Sequence, residues 1–265
     1  MCYSPKDGFR VAPMTNRAPQ ATSSTVSAES DRVRGVYVGR REVSDGPLDL
    51  YGLCMHQERQ EILLRFFREL GLASLAGLRI LDVGCGSGGQ LRRMIDFGAE
   101  PANCFGIDLF RKSLAGGRTV NPNLHFVEGS GEQLPFPSSS FDLAFQFTVF
   151  TSVLDAAVRR SMAAEILRVL RPGGHFVWYD FAYSNPRNPN VRGIGRREIS
   201  ELLSGFRLAF RRVTLAPPIG RAAVKFSPSI YRVLNTIPLL RSHYFCFAQK
   251  PAQPNSVPTQ VRRAE

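Results

Sequence analysis

The segment Asp82-Val-Gly-Cys-Gly-Ser-Gly-Gly89 constrains this chain more than any other feature. It follows the apolar run Leu78-Arg-Ile-Leu-Asp-Val83, which reads as a buried strand. The residues after it, Gln90 to Phe97, place Leu91, Met94 and Ile95 on one helical face. A strand, a glycine turn and a helix in immediate succession bring a backbone loop and a helix N-terminus against a ligand. Gly84 and Gly86 lack a Cβ, so the turn can be tight and the ligand can approach closely. Gly84, Gly86 and Gly89 also satisfy the G-x-G-x-x-G dinucleotide pattern, so the segment alone leaves the ligand open.

The rest of the chain alternates in the same way. Cys104 to Asp108, Leu124 to Glu128, Phe141 to Phe147, His175 to Tyr179, Leu208 to Leu215 and His243 to Gln249 read as further strands. Arg111 to Gly116 reads as a short helix, as does Glu198 to Leu203. A longer helix capped by Asp155 carries Val158, Met162, Ile166, Val169 and Leu170 and ends at Arg171-Pro-Gly-Gly174. Such alternation predicts a parallel sheet covered on both faces, with ligands outside the carboxyl ends of the strands. Before it, residues 47–70 form a helical pattern closed by Gly71. Residues 1–30 and 251–265 are expected to be disordered tails, residues 31–75 a helical cover and residues 76–250 the ligand-binding domain.

Composition removes several classes. Five cysteines are scattered without a CxxC pair, so neither a disulfide framework nor a zinc site is expected, and no metal is predicted. No apolar run reaches membrane-spanning length, and the polar N-terminus lacks a signal-peptide core, which reads as cytoplasmic. The net charge is +12, and most of it lies late: Pro186 to Glu265 holds 14 Lys or Arg against three acids. A basic region of this kind suits an anionic substrate, a membrane surface or nucleic acid, and an acidic or hydrophobic acceptor with peripheral membrane contact is expected.

Three further features decide what the glycine segment holds. Asp108 ends the second strand and can accept from both hydroxyls of a ribose. Gly131-Glu-Gln-Leu-Pro-Phe136 follows the third strand, and Leu167-Arg-Val-Leu-Arg-Pro-Gly-Gly174 precedes the fifth. With these motifs in order, the chain resembles the class I S-adenosylmethionine-dependent methyltransferases over Leu78 to Tyr179, in the ubiquinone/menaquinone-biosynthesis-like, small-molecule branch. The resemblance implies a Rossmann-like three-layer α/β sandwich, with a seven-stranded, mostly parallel sheet whose last strand is antiparallel. It implies S-adenosylmethionine as methyl donor, S-adenosylhomocysteine as product, and O-, N- or C-methylation in the biosynthesis of a secondary metabolite, quinone or glycan.

By the same resemblance, Gly84, Cys85, Gly86 and Gly88 lie along the methionine part of the donor, Asp108 on the ribose and Leu109 beside the adenine. Ser130, Gly131 and Glu132 border the adenine edge, and Gln146 and Phe147 face the methionine end. Many relatives carry Asp where Ser130 stands, so Glu132 is a second candidate for the adenine contact. Tyr37 and Arg40 precede the covering helix, where Arg40 can pair with the donor's carboxylate.

Methyl transfer chiefly needs alignment, with a general base where the acceptor carries a proton. His243, at the sheet edge, His56, on the cover, and Asp180, after the fifth strand, are the base candidates. His125 and His175 fall in strands and read as structural. Tyr179, Asn185, Asn188 and Arg192 are candidate acceptor contacts. Gln146-Phe-Thr-Val149 stands where nucleic-acid amine methyltransferases carry an Asn-Pro-Pro-Tyr-type tetrad, which disfavours nucleic acid as partner. An RNA- or protein-directed methyltransferase and a nicotinamide-dependent oxidoreductase remain alternatives, and the oligomeric state stays open.

Overall fold

The computed structural model describes residues 27–38 and 49–252. Arg40 and the greater part of both expected tails lie outside the described residues. Two helices come first, α1 (Ala28–Val38) and α2 (Leu50–Glu69). The alternating part runs β1 (Ile80–Val83), α3 (Gly89–Asp96), β2 (Cys104–Asp108), α4 (Arg111–Val120), β3 (His125–Glu128), β4 (Phe141–Phe147), α5 (Ala156–Val169) and β5 (Leu170–Phe181). It closes with α6 (Arg196–Leu202), β6 (Arg207–Leu215), α7 (Pro217–Phe226), α8 (Pro228–Leu234) and β7 (Arg241–Gln249).

The seven strands form one sheet in the order β3-β2-β1-β4-β5-β7-β6. β1 pairs in parallel with β2 and β4, and β4 in parallel with β5, while β7 runs antiparallel to both β5 and β6. The expected sheet, with its last strand reversed, is what forms. The strand order reverses between β1 and β4, which opens a crevice at their carboxyl ends.

Every residue of β1 and β2 is buried, as expected for central strands covered on both faces. On one face Leu81, Phe176 and Trp178 pack under Met162 and Ile166 of α5. On the other, Ile80, Phe145 and Phe247 pack under Leu63, Phe66 and Phe67 of α2 and Leu91 and Met94 of α3. A smaller cluster joins Tyr51 and Cys54 of α2 to Ala223, Val224 and Tyr231 of α7 and α8.

Two boundaries differ from the sequence reading. β5 begins at Leu170, not His175, because Leu170 already pairs with Phe141 before the register shifts between Phe141 and Leu143. Gly173, at φ +77°, lets the strand pass that irregularity. The cover also starts earlier: α1 begins at Ala28, inside the segment read as a tail.

Asp155 caps α5 as read, its carboxylate accepting from the N–H of Ala157 at 2.6 Å. Asp155→Ala is expected to cost about 1 kcal/mol of stability in urea unfolding, since the cap satisfies N–H groups that α5 leaves unpaired.

Candidate active site

The glycine loop is held by its neighbour strand. The N–H groups of Gly84 and Cys85 both donate to the carbonyl of Ile107, at 2.8 and 3.1 Å. Gly84 sits at φ +79°, and a Cβ there would lie 2.3 Å from Val149 Cγ2, so only glycine fits. Asp108 closes the arrangement: Gly86 N–H donates to its Oδ2 and Phe110 N–H to its Oδ1, each at 2.8 Å. Burial raises the Asp108 pKa against the pull of those N–H donors. Asp82, also buried, is pushed up to about 7 by burial and by the charge of Asp108.

Above this loop lies a cavity of about 250 Å³. Gly84, Gly86 and Asp108 form its polar floor, and Val83, Ile107, Val149, Val158 and Met162 line it with apolar surface. Ser130 and Gly131 border it, and Leu109, Phe147 and Tyr37 complete the expected set that it gathers. An apolar slot with a carboxylate and free backbone edges fits a nucleoside with a ribose diol.

The helix α1 lies across the cavity. Ser27 and Ser30 donate to Glu132 Oε1 at 2.6 and 2.8 Å. Glu29 accepts from the N–H groups of Leu154 and Asp155 and pairs with Arg32 at 2.7 Å, and Arg32 in turn donates to the Ser152 carbonyl at 2.6 Å. The Tyr37 hydroxyl meets Ser152 Oγ at 2.9 Å, and its ring lies 5.0 Å from that of Phe110. Glu29, Ser30 and Val33 therefore join the cavity wall, although the polar α1 sequence carries no amphipathic signal for it. Thr148 is a second unforeseen wall residue; it takes φ +55° at the end of β4, strained backbone beside the cavity.

Other expected donor contacts fall elsewhere. The Cys85 side chain turns away from the cavity into the core beside Gly106, so only its backbone can serve. Gly88 caps α3 at φ +80° against Phe126. Glu132 is engaged with Ser27, Ser30 and Ser130. Gln146 is fully buried, with neither amide atom partnered among the described residues, and Trp178 Nε1 is likewise unpartnered on the adjacent strand.

None of the three base candidates lines the cavity. His243 is 2% exposed, stacked on Tyr179 at 4.8 Å, and its Nδ1 lies 3.0 Å from Ser242 Oγ. Burial and the charge of Arg59 push its pKa down to about 3. Asp180 is fully buried and receives the N–H and hydroxyl of Thr151, at 3.1 and 2.6 Å; burial pushes it up to about 7. Its work is to hold the turn after β4. Nδ1 of His56 is taken by the guanidinium groups of Arg59 and Arg93, and burial with those two charges lowers its pKa to about 4.

The acceptor candidates also resolve into structural roles. Tyr179 is buried and donates to Thr214 at 3.0 Å. Asn185 and Asn188 accept from the N–H groups of Arg187 and Asn190, at 3.0 and 3.1 Å, as turn caps do. Arg192 pairs with Glu198 at 2.6 Å. His125 and His175 are structural as read, stacked on Phe105 at 4.7 Å and set edge-on to Phe66 at 5.5 Å.

Residues 81–178 match the family described as a methyltransferase domain. The phthiotriol/phenolphthiotriol dimycocerosates methyltransferase 1 of Mycobacterium ulcerans is 35% identical over 146 residues, which cover 53% of this chain and 51% of that one. The sterol 24-C-methyltransferase ERG6B of Gibberella zeae is 32% identical over 109 residues, 40% of this chain and 28% of that one. The chain thus spans about half the length, or less, of these curated relatives. An S-adenosylmethionine-dependent methyltransferase structure from Mesorhizobium loti shares the fold, with TM-score 0.52 and 22% identity over 70% of this chain and 96% of that one.

His243, His56 and His175 stay neutral when folded, with pKa values of about 3, 4 and 4. An unfolded histidine titrates at about 6.5. Their contribution is therefore present above that pH and lost as pH falls toward 4. Asp82 and Asp180 act oppositely: raised to about 7, they favour the fold at low pH and lose that contribution as pH rises. His243→Phe is expected to lose less stability between pH 7 and pH 4.5 than the parent chain, read as melting temperature against pH.

Proposed function

On the premise that residues 81–178 are a methyltransferase domain, we propose that the chain transfers a methyl group from S-adenosylmethionine to a hydrophobic small-molecule acceptor. The observation that carries this reading is the cavity at the β1–β4 switch point, where Gly84, Gly86 and Asp108 meet an apolar slot. Asp108 keeps free lone pairs for the ribose hydroxyls, Val83, Val158 and Met162 flank the base, and Ser130 and Gly131 border its edge. The donor, when bound, supplies an electrophilic methyl on a sulfonium. The chain's own part is to align the acceptor, hold it at about 3–3.5 Å, and keep water out under α1. With His243 and Asp180 enclosed elsewhere, alignment carries the catalysis.

The acceptor class follows from two supports. The relatives named above act, by their names, on phthiotriol and phenolphthiotriol dimycocerosates and on a sterol. On this chain, α7, α8 and the turn after them expose Phe226, Ile230, Val233 and Leu239 beside Lys225 and Arg232, a surface that suits a hydrophobic acceptor or a membrane from which one is drawn. No helix among the described residues is long and apolar enough to cross a membrane. The four described cysteines are free and buried, which fits a reducing, cytoplasmic setting. The relatives and the matching domain favour this reading over the RNA, protein and nicotinamide alternatives.

Thermal shift with S-adenosylmethionine, S-adenosylhomocysteine and NAD in parallel tests the donor. A ligand at 100 times its dissociation constant adds about 2.7 kcal/mol of stability. Stabilisation by the two adenosyl compounds and not by NAD is expected, and a response to NAD alone would sink the reading. Asp108→Ala should weaken S-adenosylhomocysteine at least tenfold by calorimetry, since each hydrogen bond to a charged group is worth about 1.5–3 kcal/mol.

A further inference from the structure

Against the Phe147 ring, outside the residues that line the cavity, is a cluster of basic side chains. Arg59 from α2 and Arg93 from α3 both turn their guanidinium groups to Nδ1 of His56, Arg93 at 3.0 Å. With Nδ1 accepting, the proton of the neutral ring sits on Nε2, so the imidazole adds a donor and no negative charge. The Arg59 guanidinium also stacks over Tyr179 at 5.0 Å and over Phe147 at 5.6 Å, and its Nε is buried without a partner. Burial, together with the charges of Arg59 and Arg92, lowers the Arg93 pKa.

Two guanidinium groups gathered on a neutral ring repel each other unless an anion joins them. Among the described residues neither arginine has a carboxylate within 4.0 Å, and Asp96 and Asp49 act on Arg93 and His56 only through their charge at longer range. Asp49 caps α2 through the N–H groups of Tyr51 and Gly52. Glu58, one residue before Arg59, takes the Thr214 N–H at 3.0 Å and Asn235 Nδ2 at 2.8 Å. Asp96 is exposed at the end of α3. His56, Arg59 and Arg93 are themselves half-buried and reachable from solvent.

We propose that Arg59, Arg93 and His56 form an anion subsite that binds a carboxylate on the acceptor and lays the acceptor's apolar body along Phe147 toward the donor cavity. This rests on the methyltransferase reading. The acceptor is favoured over the donor's own carboxylate because the cavity wall includes none of the three residues and its charged members are Glu29 and Asp108. Two planar guanidinium groups offer paired N–H donors that match a carboxylate's two oxygens. The acceptor class is thus an amphiphilic acid rather than a neutral lipid.

The test uses the full chain saturated with S-adenosylhomocysteine, with dodecanoate and dodecanol as probes in calorimetric titrations. Dodecanoate is expected to bind roughly tenfold or more tighter than dodecanol, the fold-change of one charge-assisted hydrogen bond. Arg59→Gln and Arg93→Gln should each erase that preference, and Arg59→Lys should restore part of it, with S-adenosylhomocysteine affinity and melting temperature unchanged. Equal affinity for acid and alcohol would overturn the subsite. A parallel loss of S-adenosylhomocysteine affinity in both Gln variants would overturn it too, because the anion would then be the donor's amino-acid end. Failure of S-adenosylhomocysteine to bind the parent chain would instead remove the methyltransferase reading itself.

Discussion

The site depends on one carboxylate. Asp108 stands where β2 ends, and its two oxygens receive an N–H from the glycine loop and an N–H from the start of α4. These bonds tie β1's loop to β2's end and fix the crevice that the reversed strand order opens. The cost is a charge kept in a poorly solvated place, eased by backbone dipoles and shared with a second buried acid, Asp82. Asp108 and Glu29 are the charged members of the cavity wall and give that side its negative character.

The other side of Phe147 has the opposite sign. Arginines from α2 and α3 meet on His56, and the Arg59 guanidinium lies over the ring of Phe147, which lines the cavity, and over that of Tyr179. Tyr179 in turn stacks on His243 and meets the ring of Phe245 at a tilt, joining β5 to β7. The cavity wall thus carries Glu29 and Asp108, while the cluster against Phe147 carries two arginines. Such a division orients a bipolar pair of ligands before any contact with the reacting atoms is made.

Much of the frame was legible in the sequence, for identifiable reasons. β1 and β2 are short, mostly apolar runs buried along their whole length, because both faces are covered, and Asp155 signals the start of α5 in one residue. Gly84 and Asp108 were legible because a tight turn and a strand-end acid leave few other uses for those residue types. The first residues of β5 were not, since Pro172-Gly-Gly174 reads as an interruption and only pairing with β4 makes it a strand. The placement of α1 was hidden because its anchors are polar bonds to residues more than a hundred positions away. His243 lies at the edge its strand implied, yet the rings of Tyr179 and Phe181 that enclose it come from another strand, which local sequence does not reveal.

The attachment of α1 has a consequence for timing. Val33 is its one buried apolar residue, and the rest of its hold is hydrogen bonds to Glu132, Ser152, Leu154 and Asp155. A segment held this way detaches at far lower free energy than the core beneath it unfolds. Glu29, Ser30 and Val33 of that segment are part of the cavity wall, so its detachment opens the cavity more often than the sheet beneath unfolds.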